Sequence, residues 1–157
     1  MNKIKLTACI LACSVIFGLT GCSTDKDPIS AETFTQKMEK AGLEINDQSK
    51  EAPEDLGMSE VRVAFDEGKY QIEFYTFDKE EDAKSMYNYV QENLEKQYES
   101  ESGRVRTSKS VGNHASYKLS ADEKYFVVSR IGNTLVYSAA TSDYKNQVKE
   151  LVEDIGY

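Results

Sequence analysis

The sequence predicts an α+β domain, a curved and mostly antiparallel sheet of about five to seven strands with three helices packed against it. Two observations carry this prediction. Apolar and polar residues alternate in two blocks, 61–74 and 117–139, each broken by turn residues, as half-buried hairpins require. Three other stretches, near 31–41, 79–98 and 142–155, repeat apolar residues every three or four positions, as helices with one buried face do. The helices are expected on one face of the sheet, with the first free to sit elsewhere.

The first helix follows from its ends. Ser30 is placed as N-cap, where its hydroxyl can accept from open N–H groups of the first turn, and Ile29 and Phe34 hold the positions of a hydrophobic staple. Phe34, Met38 and Ala41 form the stripe and Gly42 the stop. Leu43 and Ile45 then alternate as a short strand, and 46–60, polar and containing Pro53 and Gly57, reads as a loop. Val61, Val63 and Phe65 lead into the turn Asp66-Glu67-Gly68-Lys69, and Tyr70, Ile72 and Phe74 lead out. If only one face is buried, Phe65 pairs with Tyr70, Val63 with Ile72 and Val61 with Phe74. Asp66 then faces Lys69, and Arg62 faces Glu73, on the wet side.

Asp78 is expected to cap the second helix, with Glu81 at capping-box spacing and Glu80 and Asp82 at the positive end of the dipole. Its stripe is Ala83, Met86, Tyr87, Val90 and Leu94. After a polar break at 99–103, Val105 to Val111 reads as an edge strand. Tyr117 and Leu119, Phe126 and Val128, then Leu135, Tyr137 and Ala139 fall on one face of a meander that turns at Asp122-Glu123 and Gly132-Asn133. The other face carries Tyr125, Val127, Ile131 and Val136, so cover is expected on both sides here. The last helix has the stripe Tyr144, Val148, Leu151, Val152 and Ile155, stopped by Gly156. Hairpin then helix recurs, at 61–98 and 124–155, without the residue identity of a duplication.

Ahead of this domain, Lys3 and Lys5 precede an uncharged run, Leu6 to Leu19, with the charged start and apolar centre of an export signal. Counted through Cys22, the run also nears the roughly 17-residue minimum of a membrane span. Small residues before the cysteine, and polar Ser23, Thr24 and Asp25 after it, favour cleavage. Leu19-Thr20-Gly21-Cys22 resembles the lipobox of bacterial lipoproteins at all four positions. The resemblance implies diacylglyceryl transfer to the Cys22 sulfur, cleavage after Gly21 and an N-acyl group on the new amino terminus. It divides the chain into a signal peptide (1–21), a lipidated cysteine with a short tether (22–29) and one α+β domain (30–157). Two acyl chains, at about 0.8 kcal/mol per buried methylene, hold a protein where one would not. The competing assignments make Cys22 the first residue after an ordinary signal, or a buried thiol.

Cys9 and Cys13 leave with the leader, so the domain holds no internal disulfide, and thioether formation removes a thiol exposed to an oxidising compartment. Ser23 to Pro28 reaches at most about 20–25 Å, a short leash to the bilayer. The stretch from Tyr117 onward, with Lys-Tyr-Phe-Val-Val-Ser-Arg-Ile-Gly-Asn-Thr-Leu-Val-Tyr and the closing Lys-Glu-Leu-Val-Glu-Asp-Ile-Gly-Tyr, resembles small uncharacterised lipoproteins of Gram-positive bacteria. That resemblance implies export and a single compact domain and brings no activity.

Loss of Lys3 and Lys5 takes the formal charge from −8 to −10, which argues against nucleic acid as a partner and against broad adhesion to anionic lipid. A zinc site normally needs several His or Cys ligands, and His114 is the one histidine. The acidic stretches at 25–27, 80–82 and 99–101 lack the spacing of a calcium hand, so no metal is assigned. No phosphate-binding glycine loop is present. His114, in Gly112-Asn113-His114, reads as a turn or surface residue rather than a general base, and no catalytic residue is assigned. Tyr75, Tyr89, Tyr98 and Tyr125 fall off the apolar stripes and form the candidate binding surface, unless a second layer covers them or they are scattered singly.

The expectation is a non-catalytic, lipid-anchored binding or accessory protein on the extracytoplasmic face of the bacterial cell membrane. It needs no cofactor beyond its covalent lipid, and its partner is an envelope protein or a small ligand. The alternatives are an envelope hydrolase using His114 or paired carboxylates, and an inhibitor or chaperone of another envelope protein. The anchor is tested by metabolic labelling with a fatty-acid analogue. Label is expected on the wild type and absent from Cys22→Ser; equal label on both overturns the lipobox assignment.

Overall fold

In the computed structural model, which describes residues 24–157, the two halves of the chain build opposite ends of one antiparallel sheet. Helix α1 (Ala31–Lys40) leads to β1 (Glu44–Asp47), the hairpin β2 (Met58–Asp66) and β3 (Tyr70–Phe77), and helix α2 (Glu80–Gln97). The meander β4 (Val105–Val111), β5 (His114–Ala121), β6 (Lys124–Ile131) and β7 (Thr134–Thr141) follows, then helix α3 (Lys145–Asp154). The strand order is β1-β2-β3-β7-β6-β5-β4, an open sheet of seven strands with three helices, as the sequence predicts. Leu19, Thr20, Gly21 and Cys22 lie outside the described residues. Among those residues, no helix is long and apolar enough to cross a membrane.

Local chemistry sets the element ends. The Ser30 hydroxyl accepts from Thr33 N–H at 3.1 Å, the predicted N-cap, and Ile29 packs against the cluster that holds Phe34. Leu43 and Ile45 flank and enter β1, and β4 is the edge strand expected at 105–111, exposed along its whole length. The meander turns where predicted. Tyr117 lies opposite Val128, Leu119 opposite Phe126, and Val128 opposite Tyr137, which puts the predicted apolar set on one face.

The helices divide between both faces, contrary to the expectation of one. Helices α1 and α3 cover Phe34, Ile72, Phe74, Val127, Val136, Val148 and Val152 on the first face. Helix α2 alone covers Phe77, Tyr87, Leu94, Tyr117, Phe126, Val128 and Leu135 on the second. The central strands are thus apolar on both sides, and Phe34 stacks on Phe74 at 5.0 Å between ring centres.

Two-sided cover also explains why the first hairpin's predicted register fails. Ala64 lies opposite Ile72, Val63 opposite Glu73 and Arg62 opposite Phe74, one residue away from the expected pairing. Ile72 and Phe74 face α1, while Val61 and Val63 lie with Tyr75 on the α2 side, so no single face collects all six apolar residues. The turn decides instead. Lys69 N–H donates to Asp66 C=O at 3.0 Å, with Gly68 at φ 74°, a conformation glycine adopts without a Cβ penalty. The Lys69–Asp66 ion pair forms at 2.8 Å, but Arg62 pairs with Asp47 and Glu60 rather than Glu73.

Two smaller expectations also give way. Strand β2 begins at Met58, inside the predicted loop, and a bulge between Met58 and Glu60 restores its pairing with β3. Helix α2 has Lys79 at its N-cap, with no side-chain cap. Asp78 instead uses its N–H to reach Gly57 C=O at 2.9 Å. The start of α2 is held from outside: buried Arg130 donates to Glu80 at 2.9 Å and to Gly132 C=O at 3.0 Å.

The β5–β6 turn places Asp122 at φ 51° and Glu123 at φ 57°, the left-handed region that two-residue hairpins favour for Asn-Gly. Glu123 carries a Cβ there at a cost of about 1 kcal/mol. Glu123→Gly is therefore expected to raise stability by roughly 0.5–1 kcal/mol, read as a higher urea midpoint at unchanged slope. A lower midpoint would contradict the turn assignment.

Candidate functional site

Two recesses lie on opposite faces of the sheet, and they differ in chemistry. The first sits on the α2 side, between α2 and strands β3 and β7, and encloses about 300 Å³. Helical spacing places Met86 and Val90 one turn apart on its upper wall, and strand alternation places Glu73, Tyr75 and Tyr137 on its floor. The floor's polar groups are ordered. Glu73 accepts from Tyr75 O–H and, through its other oxygen, from Gln71 at 2.5 Å.

Burial, then the Glu73 charge, raises both Tyr75 and Tyr137 above the ordinary phenol range. Both rings therefore stay neutral hydrogen-bond donors through the physiological range. Apolar walls with a few convergent polar groups are the composition of a binding cleft, and methionine adapts to irregular partners. A shallower recess lined by Asp55, Leu56, Asp82 and Tyr89 adjoins it through their shared Met86.

The second recess is a groove of about 480 Å³ between α3 and the outer strands β4 and β5. Strand alternation aims Thr107, Lys109, Ser116 and Lys118 to this side, α3 adds Lys149 and Glu153, and Lys26 closes the rim. Lys118 and Lys149 approach Glu153 at 3.5 and 3.9 Å. His114 also lines it. Burial first, then Lys26 and Lys109, hold its imidazole below the ordinary histidine range. Its Nδ1 is buried and has no hydrogen-bond partner among the described residues, so no carboxylate orients it as a general base. The Ser129 hydroxyl is engaged with Ala115 C=O at 3.2 Å. Among the described residues, no three His, Cys, Asp or Glu side chains are grouped to hold a metal ion.

No protein-family model matches this chain, and no curated protein does. A solved structure of a GTP binding regulator from Thermotoga maritima is similar, with 19% identity over 81% of this chain and 84% of that one and a TM-score of 0.48. Similarity at that level assigns neither a site nor a role.

The four candidate tyrosines do not share one surface. Tyr75 and Tyr89 lie in the two adjoining recesses on the α2 side, and Tyr89 is 64% exposed. Tyr98 and Tyr125, 4% and 3% exposed, are core residues on opposite faces, so they leave the candidate binding surface and follow the alternative in which a second layer covers them. Tyr98 packs on Phe126 at 5.3 Å, and Tyr125 lies under the Lys145 ammonium at 5.3 Å. Tyr125 lies on the meander's other apolar face, where cover is expected, and Tyr98 stands four residues after Leu94, in line with the buried face of α2. The lysine groove was missed. Its residues run from Lys26 to Tyr157, so no window of sequence contains it.

Tyr157 lines the groove and bonds its hydroxyl to Thr134. Burial pushes its phenol up to about 12. The unfolded chain loses this proton near pH 10, before the folded one does, so the stabilisation is complete below pH 10 and disappears between pH 10 and 12. Other raised tyrosines act in the same direction. Tyr157→Phe is expected to make the fall of the urea midpoint across this window shallower, and an unchanged fall would show that Tyr157 is not held as described.

Proposed function

We propose that this chain is a lipid-anchored, extracytoplasmic binding protein of the bacterial cell envelope that works without catalysis and receives its partner on the α2 side of the sheet. The observation that carries the reading is the paired recess around Met86, with Tyr75 on one side and exposed Tyr89 on the other. Exposed aromatic and methionine surface beside an apolar cleft is the composition of a recognition site rather than of an idle protein surface. Glu73, fixed by Tyr75 and Gln71, would accept a donor from the bound molecule while Val90 and Met86 cover its apolar part. A partner's side chain or a small envelope ligand could supply both. The lipobox and the short leash support the location. The hydrolase alternative has less support, since the groove around His114 offers neither an activated hydroxyl nor an orienting carboxylate among the described residues.

The recess is tested with a photo-crosslinking amino acid at position 89 of the full chain in intact cells. A discrete adduct is expected from position 89 and not from exposed position 50. Filling the recess with Val90→Trp should weaken adduct formation by tenfold or more, about 1.4 kcal/mol, with the melting temperature unchanged. An adduct indifferent to Val90→Trp would put the partner elsewhere.

A further inference from the structure

We propose that the lysine groove between α3 and strands β4 and β5 is a docking face for anionic phospholipid headgroups, which seats the domain on its membrane with the Met86 recess turned outward. The inference rests on the anchored reading above for the position of the membrane, and on its own observations for the groove.

The first observation is charge segregation. The chain carries a formal charge of −8, yet Lys26, Lys109, Lys118 and Lys149 converge on one groove. Lys145, one turn before Lys149 on α3, extends the row and donates to Ser120 at 3.1 Å. Glu153 is the carboxylate in the wall, and Asp25 stands near the rim, where it accepts from Asn113 N–H at 3.0 Å. On the α2 side three cations have one carboxylate apiece, whereas in the groove Lys118 and Lys149 share Glu153. Arg106 meets Glu95 at 2.8 Å, Arg130 meets Glu80 at 2.9 Å and Lys96 meets Glu92 at 3.9 Å, so each is matched by a carboxylate of α2. Net charge averaged over the whole surface therefore misdescribes this face.

The second observation is where the chain leaves the domain. Residues 25 and 26 are not a loose tether: Lys26 N–H donates to Asn113 Oδ1 at 2.9 Å, and Asn113 Nδ2 donates to Lys26 C=O at 2.8 Å. Lys26 Nζ reaches Gly156 C=O at 2.9 Å. Gly112 admits this contact, since a Cβ there would stand 2.3 Å from Asp25 Oδ1. The chain is thus fixed at the rim of the groove, and Cys22, four residues earlier, can lie no more than about 14 Å from Lys26. Attraction between fixed charges and a lipid surface decays over about 8–10 Å, so a cationic face helps only if it can reach the bilayer surface, which so short a connection permits.

The third observation is the donor chemistry. The groove offers ammonium groups and the hydroxyls of Thr107 and Ser116, with the unpartnered, buried Nδ1 of His114 at its floor. Phosphodiester oxygens are acceptors and match these donors. All its cations are lysines, hydrated point charges on flexible stems, which suit a fluid headgroup layer better than the fixed fork of arginine would.

The test uses the full chain on phosphatidylcholine vesicles with and without phosphatidylglycerol, read by acylation of individual lysines and mass spectrometry. With phosphatidylglycerol, Lys109, Lys118 and Lys149 should react several-fold more slowly, Lys50 and Lys84 at the same rate, and the difference should vanish at high salt. Lys109→Gln combined with Lys149→Gln should weaken the protection of Lys118, by roughly five-fold for each lysine removed. Equal acylation on both vesicles overturns the proposal. So does protection that appears only when a soluble glycerol-phosphate polymer is added, which would make the groove a site for that polymer. Flotation with neutral vesicles reads the anchor separately. If the chain does not float there, the anchored reading fails, and flotation with phosphatidylglycerol vesicles alone then decides the groove, for it if the chain floats and against it if not.

Discussion

Strand β3 pairs with β7 over residues 70–76 and 134–140, and this ladder, between strands more than fifty residues apart in sequence, makes one sheet out of a hairpin and a meander. Closing so long a loop costs chain entropy that only the joined sheet can offset. The offset comes from both faces. Ile72, Phe74 and Val136 are buried under α1 and α3, while Phe77 and Leu135 are buried under α2. Strands with apolar residues on both sides cannot sit at an edge, so their sequence composition forces them to the centre. The less apolar strands β1 and β4 are left to form the edges, and β4, with Arg106 and Lys109 on an exposed seven-residue edge, carries charges that discourage pairing with another chain.

Division of the helices between two faces also divides the surfaces. Helix α2 packs across β3, β7 and β6, and Tyr75, Tyr137 and Met86 line the gap beneath it. Helix α3 packs on β7 and does not reach β4, which leaves the outer strands open on the first face and creates the lysine groove. The two recesses share no residue. One is apolar with a carboxylate buttressed by a phenol, and the other is cationic with hydroxyls. A single domain can therefore hold a surface with one face and a partner with the other, without competition between them.

The paired ions fit the same division. On the α2 side, Glu80, Glu92 and Glu95 of the helix meet cations from the sheet and from α2 itself, and the Arg130–Glu80 contact ties the uncapped start of α2 to β6. A buried guanidinium left without its carboxylate would be costly, so this pair also fixes how α2 sits. On the other face, Lys118 and Lys149 share a single partner, Glu153. The surplus of positive charge is local, and it coincides with the Asn113 clasp that fixes the chain's exit.

Much of the fold was legible because periodicity reports burial wherever burial is one-sided. Phe34 and Met38 of α1, the α3 stripe, the Ser30 cap, the edge strand and the meander's turns all follow from residue type and spacing, whereas Ala41, expected in the α1 stripe, is exposed at the helix C-cap. The first hairpin was misread by one residue because alternation defines a register only when one face is wet; with both faces covered, the turn through Gly68 made the choice. Tyr125 joins the core for the same reason, since a residue off one stripe can lie on a second buried face.

The sequence by itself determined the three helices and the mostly antiparallel strands, the acidic character of the chain and the four residues that resemble a lipobox. Only the tertiary structure decided which face each helix covers, which tyrosines stay exposed, and that Lys26, the β4–β5 lysines and Lys149 converge on one groove. Those outcomes depend on long-range pairing, where each partner's position is fixed by the others and no local stretch of residues contains the information.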